Sequence, residues 1–139
     1  MRTLTRHPDW PARLSAFLGE RRSLPYRYGS NDCAVLCRDG IRAITGTDLM
    51  EGVDLPTSWL GAAKFLIAHG WDDVEAMATA LLGPPRSAAS AAQRGDIVSF
   101  EALDERHLGI CLGTVAATPG ATGLVHVPMA DWRHAWKVG

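Results

Sequence analysis

Tyr28-Gly29-Ser30-Asn31-Asp32-Cys33-Ala34-Val35-Leu36 is the stretch on which the fold turns. Asn31 and Asp32 are both good helix N-caps, and Cys33 follows them directly. From there Cys33, Leu36, Cys37, Gly40, Ile41 and Ile44 recur at helical spacing, and Gly46 is a natural terminator. So long an apolar stripe predicts a central, packed helix. The first N–H groups of a helix lack partners inside it and carry partial positive charge. A thiol placed there should ionise more easily. The same N–H groups can hold an oxyanion during acyl transfer.

Helical signals also flank this stretch. Before it, Asp9 and Pro11 suit a helix start, and Trp10, Leu14, Phe17 and Leu18 fall on one face. Ser23 to Gly29 breaks that helix and should run extended. After it, Thr57 or Ser58 caps a third helix carrying Trp59, Ala63, Leu66 and Ile67, which Gly70 ends. A shorter helix from about Asp73 to Leu82 stops at Gly83-Pro84-Pro85. The small, polar run Arg86 to Ala92 reads as a surface connector.

The period then changes. Ile97-Val98-Ser99-Phe100, His107 to Leu112, Leu124 to Val127 and Ala135 to Val138 read as strands, the last at an edge. Short turns between them predict antiparallel pairing. Helices first and strands second imply an α+β layer, with helices packed on a small antiparallel sheet.

Composition sets the outer limits. The chain has 139 residues, 47% of them hydrophobic, enough for one domain (1–139) with its own core. A formal net charge of -1 offers no basic surface for nucleic acid. No run is long and apolar enough to insert in a membrane. The N-terminus has no apolar signal core, so the expected place is the cytoplasm unless a larger assembly carries the chain out. Three cysteines in a chain of this size read as reduced thiols, and Cys37 and Cys111 fit buried structural positions. Cys33 and Cys37 lack a second pair for a metal site.

Two downstream histidines stand out against apolar neighbours. His107 opens His107-Leu108-Gly109-Ile110-Cys111-Leu112-Gly113, where Gly109 admits a close backbone or ligand. His126 lies in Leu124-Val125-His126-Val127, where an imidazole needs a hydrogen-bond partner. The ring of His107 would satisfy it. His7, His69 and His134 sit in a tail, a helix end and a loop.

Four pieces, in order, carry a resemblance. Tyr26-Arg27-Tyr28-Gly29 with Asn31-Asp32-Cys33 resembles a Tyr-x-x-Gly lead into an Asp-Cys nucleophile. Arg94-Gly95-Asp96-Ile97-Val98-Ser99-Phe100 resembles a Gly-Asp-Leu-Val-x-Phe strand. His107 to Gly113 is similar to His-Val-Gly-Ile-Tyr-Leu-Gly, and Val125-His126-Val127 follows where a third polar residue falls. The set resembles the NlpC-type cell-wall peptidases of the papain-like fold, and in particular the short versions found among phage tail genes. The resemblance implies Cys33 as nucleophile, His107 as general base and His126 as the group that orients it. It places Tyr26, Tyr28, Asp32 and Ala34 at the substrate and oxyanion site. It implies cleavage of a peptidoglycan stem peptide through an acyl-thioester, with no metal or organic cofactor. The implied neighbours are tail-tip or baseplate proteins such as a hub protein, in a particle made in the host cytoplasm and delivered to the cell wall.

Two departures accompany it. Ala34-Val35 stands where the family commonly has Ser-Gly, and residues 117–122 read as an insertion in the hairpin before His126. The insertion bears on specificity, whereas the Val35 departure, with no wall-binding module attached, leaves open an idle, structural role in the tail tip. An acyltransferase or deamidase on the same fold is a third reading.

Overall fold

The computed structural model describes residues 3–139. Among them, four α-helices precede five strands: α1 (Trp10–Arg21), α2 (Cys33–Thr45), α3 (Trp59–Ala68), α4 (Val74–Leu82), β1 (Ile97–Ala102), β2 (Glu105–Cys111), β3 (Val115–Gly120), β4 (Gly123–Pro128) and β5 (Trp132–Trp136). The sheet is antiparallel in the order β4-β3-β2-β1-β5. The α+β layer expected from the sequence is present, with β5 at an edge. No helix among the described residues is long and apolar enough to cross a membrane.

The sequence reading missed one strand. Residues 117–122, taken as a hairpin insertion, mostly belong to β3, which pairs with β4 from Val115↔Pro128 to Gly120↔Gly123. Ala116-Ala117-Thr118-Pro119-Gly120 carries weak β-propensity, and Pro119 argues against a central strand. The ladder explains the exception. β2 pairs with β3 only at Ile110↔Ala117 and Cys111↔Ala116. Past Ala117 the strand has no ladder partner on that side, so proline's missing N–H leaves no β2 carbonyl unpaired.

α2 is the helix that organises the core. The Asp32 carboxylate caps it, accepting from the N–H of Val35 at 2.9 Å, and Gly46 ends it in a left-handed conformation. Its stripe buries Cys33, Leu36, Cys37, Ile41 and Ile44 against Leu14 and Phe17 of α1 and Leu108 and Ile110 of β2. Close approach needs Gly40: a β-carbon there would lie 2.6 Å from Ile110 Cδ1. The opposite sheet face holds a smaller cluster of Val98, Cys111, Ala116, Trp132 and Ala135. α4 is pinned to the helical face by polar contacts. Glu75 accepts from Ser99 Oγ at 2.6 Å and Arg133 Nε at 3.1 Å, and Trp136 Nε1 donates to Thr79 at 3.1 Å.

The run Arg86 to Ala92 is more than a surface connector, because its first residue is anchored. Asp96 is completely buried. Its carboxylate accepts from Arg86 Nε at 2.9 Å, Gln93 N at 2.8 Å, Val138 N at 3.0 Å and Arg6 Nη2 at 3.3 Å. Arg6 also donates to the carbonyls of Val138 and Arg94. One side chain thus fixes the N-terminal segment, the connector, the start of β1 and the end of the chain. Removing the charge leaves two guanidiniums facing a neutral amide. Asp96→Asn is therefore expected to destabilise the fold by about 3–5 kcal/mol, read as a lower urea midpoint at unchanged slope.

Candidate functional site

The segment leading into α2 is tied down by its own polar groups. Asn31, 4% exposed, donates from its amide to the carbonyls of Leu24 at 3.1 Å and Pro25 at 3.0 Å. The Asp32 carboxylate spans the turn, accepting from Gly29 N at 2.9 Å as well as capping Val35. Tyr26 donates its N–H to Gly120 O at 2.8 Å, which joins this segment to the end of β3. The Tyr26 and Tyr28 rings meet edge to face, 5.2 Å apart. Burial and the nearby Cys33 and Tyr28 raise the Tyr26 phenol well above its ordinary value.

Cys33 opens α2, as expected, and is 6% exposed. Its ionisation runs against the sequence expectation. Burial, the largest influence, pushes the thiol up to about 11. The N–H of Leu108 on β2 pulls the other way, the Asp32 carboxylate adds to the upward push, and the N–H groups of Ala34 and Cys33 also favour the anion. Desolvation outweighs all three backbone N–H groups. Asp32 serves as cap and acceptor rather than as an oxyanion donor; Ala34 contributes its N–H.

Cys33 and His107 border one cavity of about 510 Å³, together with Tyr26, Tyr28, Asp32 and Ala34. No hydrogen bond joins the sulfur to the imidazole among the described residues. His107 Nε2 lies 3.1 Å from the carbonyl oxygen of Ala102, and its ring stacks on Phe100 with centroids 5.5 Å apart. A carbonyl only accepts, so this contact puts the ring proton on Nε2 and leaves Nδ1 as a free acceptor. The role expected of His126 is thus filled by a main-chain carbonyl of β1.

His126 is exposed on β4, opposite Ala117. Ala117 in turn faces Ile110, three residues from His107. Side chains alternate along a strand, so His107 and His126 leave opposite faces of the sheet. Both border a second cavity of about 630 Å³, which adjoins the first at Tyr26, Tyr28, Glu105 and His107. Thr118, on the His107 face, borders this second cavity and donates to Leu108 O at 3.0 Å. Thr118 and Ala102 escaped the sequence reading because one lies on the missed strand and the other acts through its backbone. Phe100 had a signal, since it sits opposite His107 in the β1–β2 hairpin. Among the described residues no group of His, Cys, Asp and Glu is placed to hold a metal ion.

A thiol in this setting stays protonated at neutral pH. Alkylation of Cys33 in the free protein, followed by peptide mass spectrometry, is expected to climb with a midpoint near pH 11. A midpoint under the ordinary thiol value of 9.0 would show an activated sulfur instead.

No curated protein matches the sequence. The sequence profile of a domain of unknown function, DUF6950, matches residues 5–138. That span takes in every helix and strand described above, including both cavities and Cys33, His107 and His126. The chain belongs to the DUF6950 family.

Proposed function

We propose that this chain is a thiol acyl hydrolase, a cysteine peptidase or amidase of the NlpC type, with Cys33 as nucleophile and His107 as general base. One observation carries the reading. The sulfur stands at the N-terminus of α2, on a cavity that His107 also borders. Its tautomer leaves Nδ1 unprotonated.

The chemistry follows from those positions. At neutral pH the thiolate lies about 5 kcal/mol above the thiol when the group titrates near 11. A preformed thiolate is therefore not the resting nucleophile, and a base must remove the proton as reaction begins. His107, which borders the cavity but leaves the sheet face opposite Leu108 and Ile110, would turn Nδ1 toward the sulfur to take it as the sulfur attacks the substrate carbonyl. The oxyanion that forms is held by N–H groups at the start of α2. Collapse breaks the carbonyl–nitrogen bond, and the imidazolium protonates the leaving amine. Water, deprotonated by His107, then cleaves the thioester; the acid leaves and the sulfur regains its proton.

The resemblance supplies a substrate, the stem peptide of peptidoglycan, and a setting, the tail tip of a phage or related particle beside a hub-type neighbour. Digestion of purified muropeptides is the direct test. Wild type should release new amine termini, Cys33→Ala none, and His107→Ala should be slower by about a hundredfold or more. Release that persists in Cys33→Ala removes the reading.

A second reading is a catalytically idle structural part of the same assembly. The enclosure of Cys33 and the absence of a sulfur–imidazole hydrogen bond favour it. Cys33→Ala particles that assemble and infect normally would support this reading over the first.

A further inference from the structure

We propose that the cavity beside Cys33 takes an aliphatic acyl chain, whose carbonyl reaches the sulfur. The inference rests on the thiol acyl hydrolase reading and names its substrate class. Two observations carry it.

The first is the shape and lining of the cavity. Cys33, Cys37 and Ile41 repeat every fourth residue along one face of α2 and all border it. Eight residues of helix rise about 12 Å, so the space runs lengthwise from the nucleophile. Its far walls are Leu66 of α3 and Val74, Met77 and Leu81 of α4. The volume, about 510 Å³, is that of a small-molecule site. Charged residues border it as well, among them Arg106 and Glu105 on the β2 side, where His107 and Leu108 also lie. A linear hydrocarbon suits the apolar run along α2, and a polar head suits that side. A charged stem peptide matches this lining less well.

The second observation is α3. The helix is apolar apart from Lys64, yet none of its ten residues is buried. Ala62, Ala63, Phe65 and Leu66 face the cavity and are only half-buried. A helix normally buries its apolar face against the protein; here Phe65 and Leu66 pack on the core only in part, and the same residues border the cavity. Trp59 closes the Cys33 side by donating from Nε1 to the Glu105 carboxylate on β2. A bound chain would complete the partial burial of the inner face of α3. The second cavity, beyond Tyr26 and Tyr28, would receive the leaving group.

The reaction balances on this arrangement. With an ester, the sulfur displaces the alkoxide at the carbonyl, and the alcohol departs with the proton His107 took from the thiol. Water then releases the fatty acid and restores the thiol.

The full chain is titrated with saturated fatty acids from butanoate to dodecanoate by calorimetry. Affinity is expected to rise about fourfold per added methylene until the chain outgrows the cavity. Affinity that does not rise with length overturns the proposal. Ala63→Phe, which places a ring in the cavity, should cut decanoate binding tenfold or more; the wild-type series stands as the test if this variant does not fold.

Turnover of para-nitrophenyl esters separates this proposal from the one beneath it. The proposal predicts faster Cys33-dependent cleavage of the decanoate than of the acetate ester. Cys33-dependent cleavage of acetate with no gain on decanoate overturns the acyl-chain proposal and leaves the hydrolase standing. Decanoate binding with no turnover lost in Cys33→Ala overturns both the hydrolase and the placing of the carbonyl at the sulfur.

Discussion

The Asp96 carboxylate is fully enclosed and receives hydrogen bonds from two arginines and two backbone N–H groups. A buried charge is tolerable only when it is paired and saturated in this way. Its partners come from residues 6, 86, 93 and 138, which no local interaction would gather. Because Asp96 also sits at the entry to β1, this pairing sets where the sheet begins. β1 then fixes β2 by its ladder, and β2 brings Leu108 to α2 and His107 to the rim of the cavity that Cys33 borders. The geometry around Cys33 is downstream of a carboxylate that takes no part in it.

Around the sulfur two physical effects compete. The helix N-terminus and the Leu108 N–H favour the anion, while exclusion of water favours the neutral thiol. Burial wins in the free protein. The same exclusion of water would strengthen those N–H dipoles toward charge that develops on a bound substrate. On the proposed reading, Cys33 is a nucleophile roused late rather than one held ionised. The hydrogen bond from His107 to Ala102 suits that arrangement, because it fixes the ring without adding a negative charge near the thiol.

Much of this was legible in the chain. Periodicity and caps located α2, α3 and α4, with Asp32, Ser58 and Asp73 each capping through its side chain. Asp9 sits at the start of α1 but spends its carboxylate on Arg13 instead. What escaped depended on partners distant in sequence. β3 is held by its ladder with β4 against the grain of its own residues. The turn between β1 and β2 was equally hidden, since Leu103 and Asp104 take positive φ of 53° and 60° without the glycine that usually marks such a turn. Placing His126 beside His107 failed because β3 lies between their strands and its register puts the two residues on opposite faces. The thiol's ionisation could not be read from helix position, since burial is a property of everything packed around it.

The enclosed sulfur has one more consequence. Peroxides and disulfides attack or are attacked through the thiolate, so a cysteine that holds its proton is chemically quiet. Cys33 is shielded twice, by its neighbours and by its own neutrality. A thiol that keeps its proton behind this packing is expected to react slowly with oxidants.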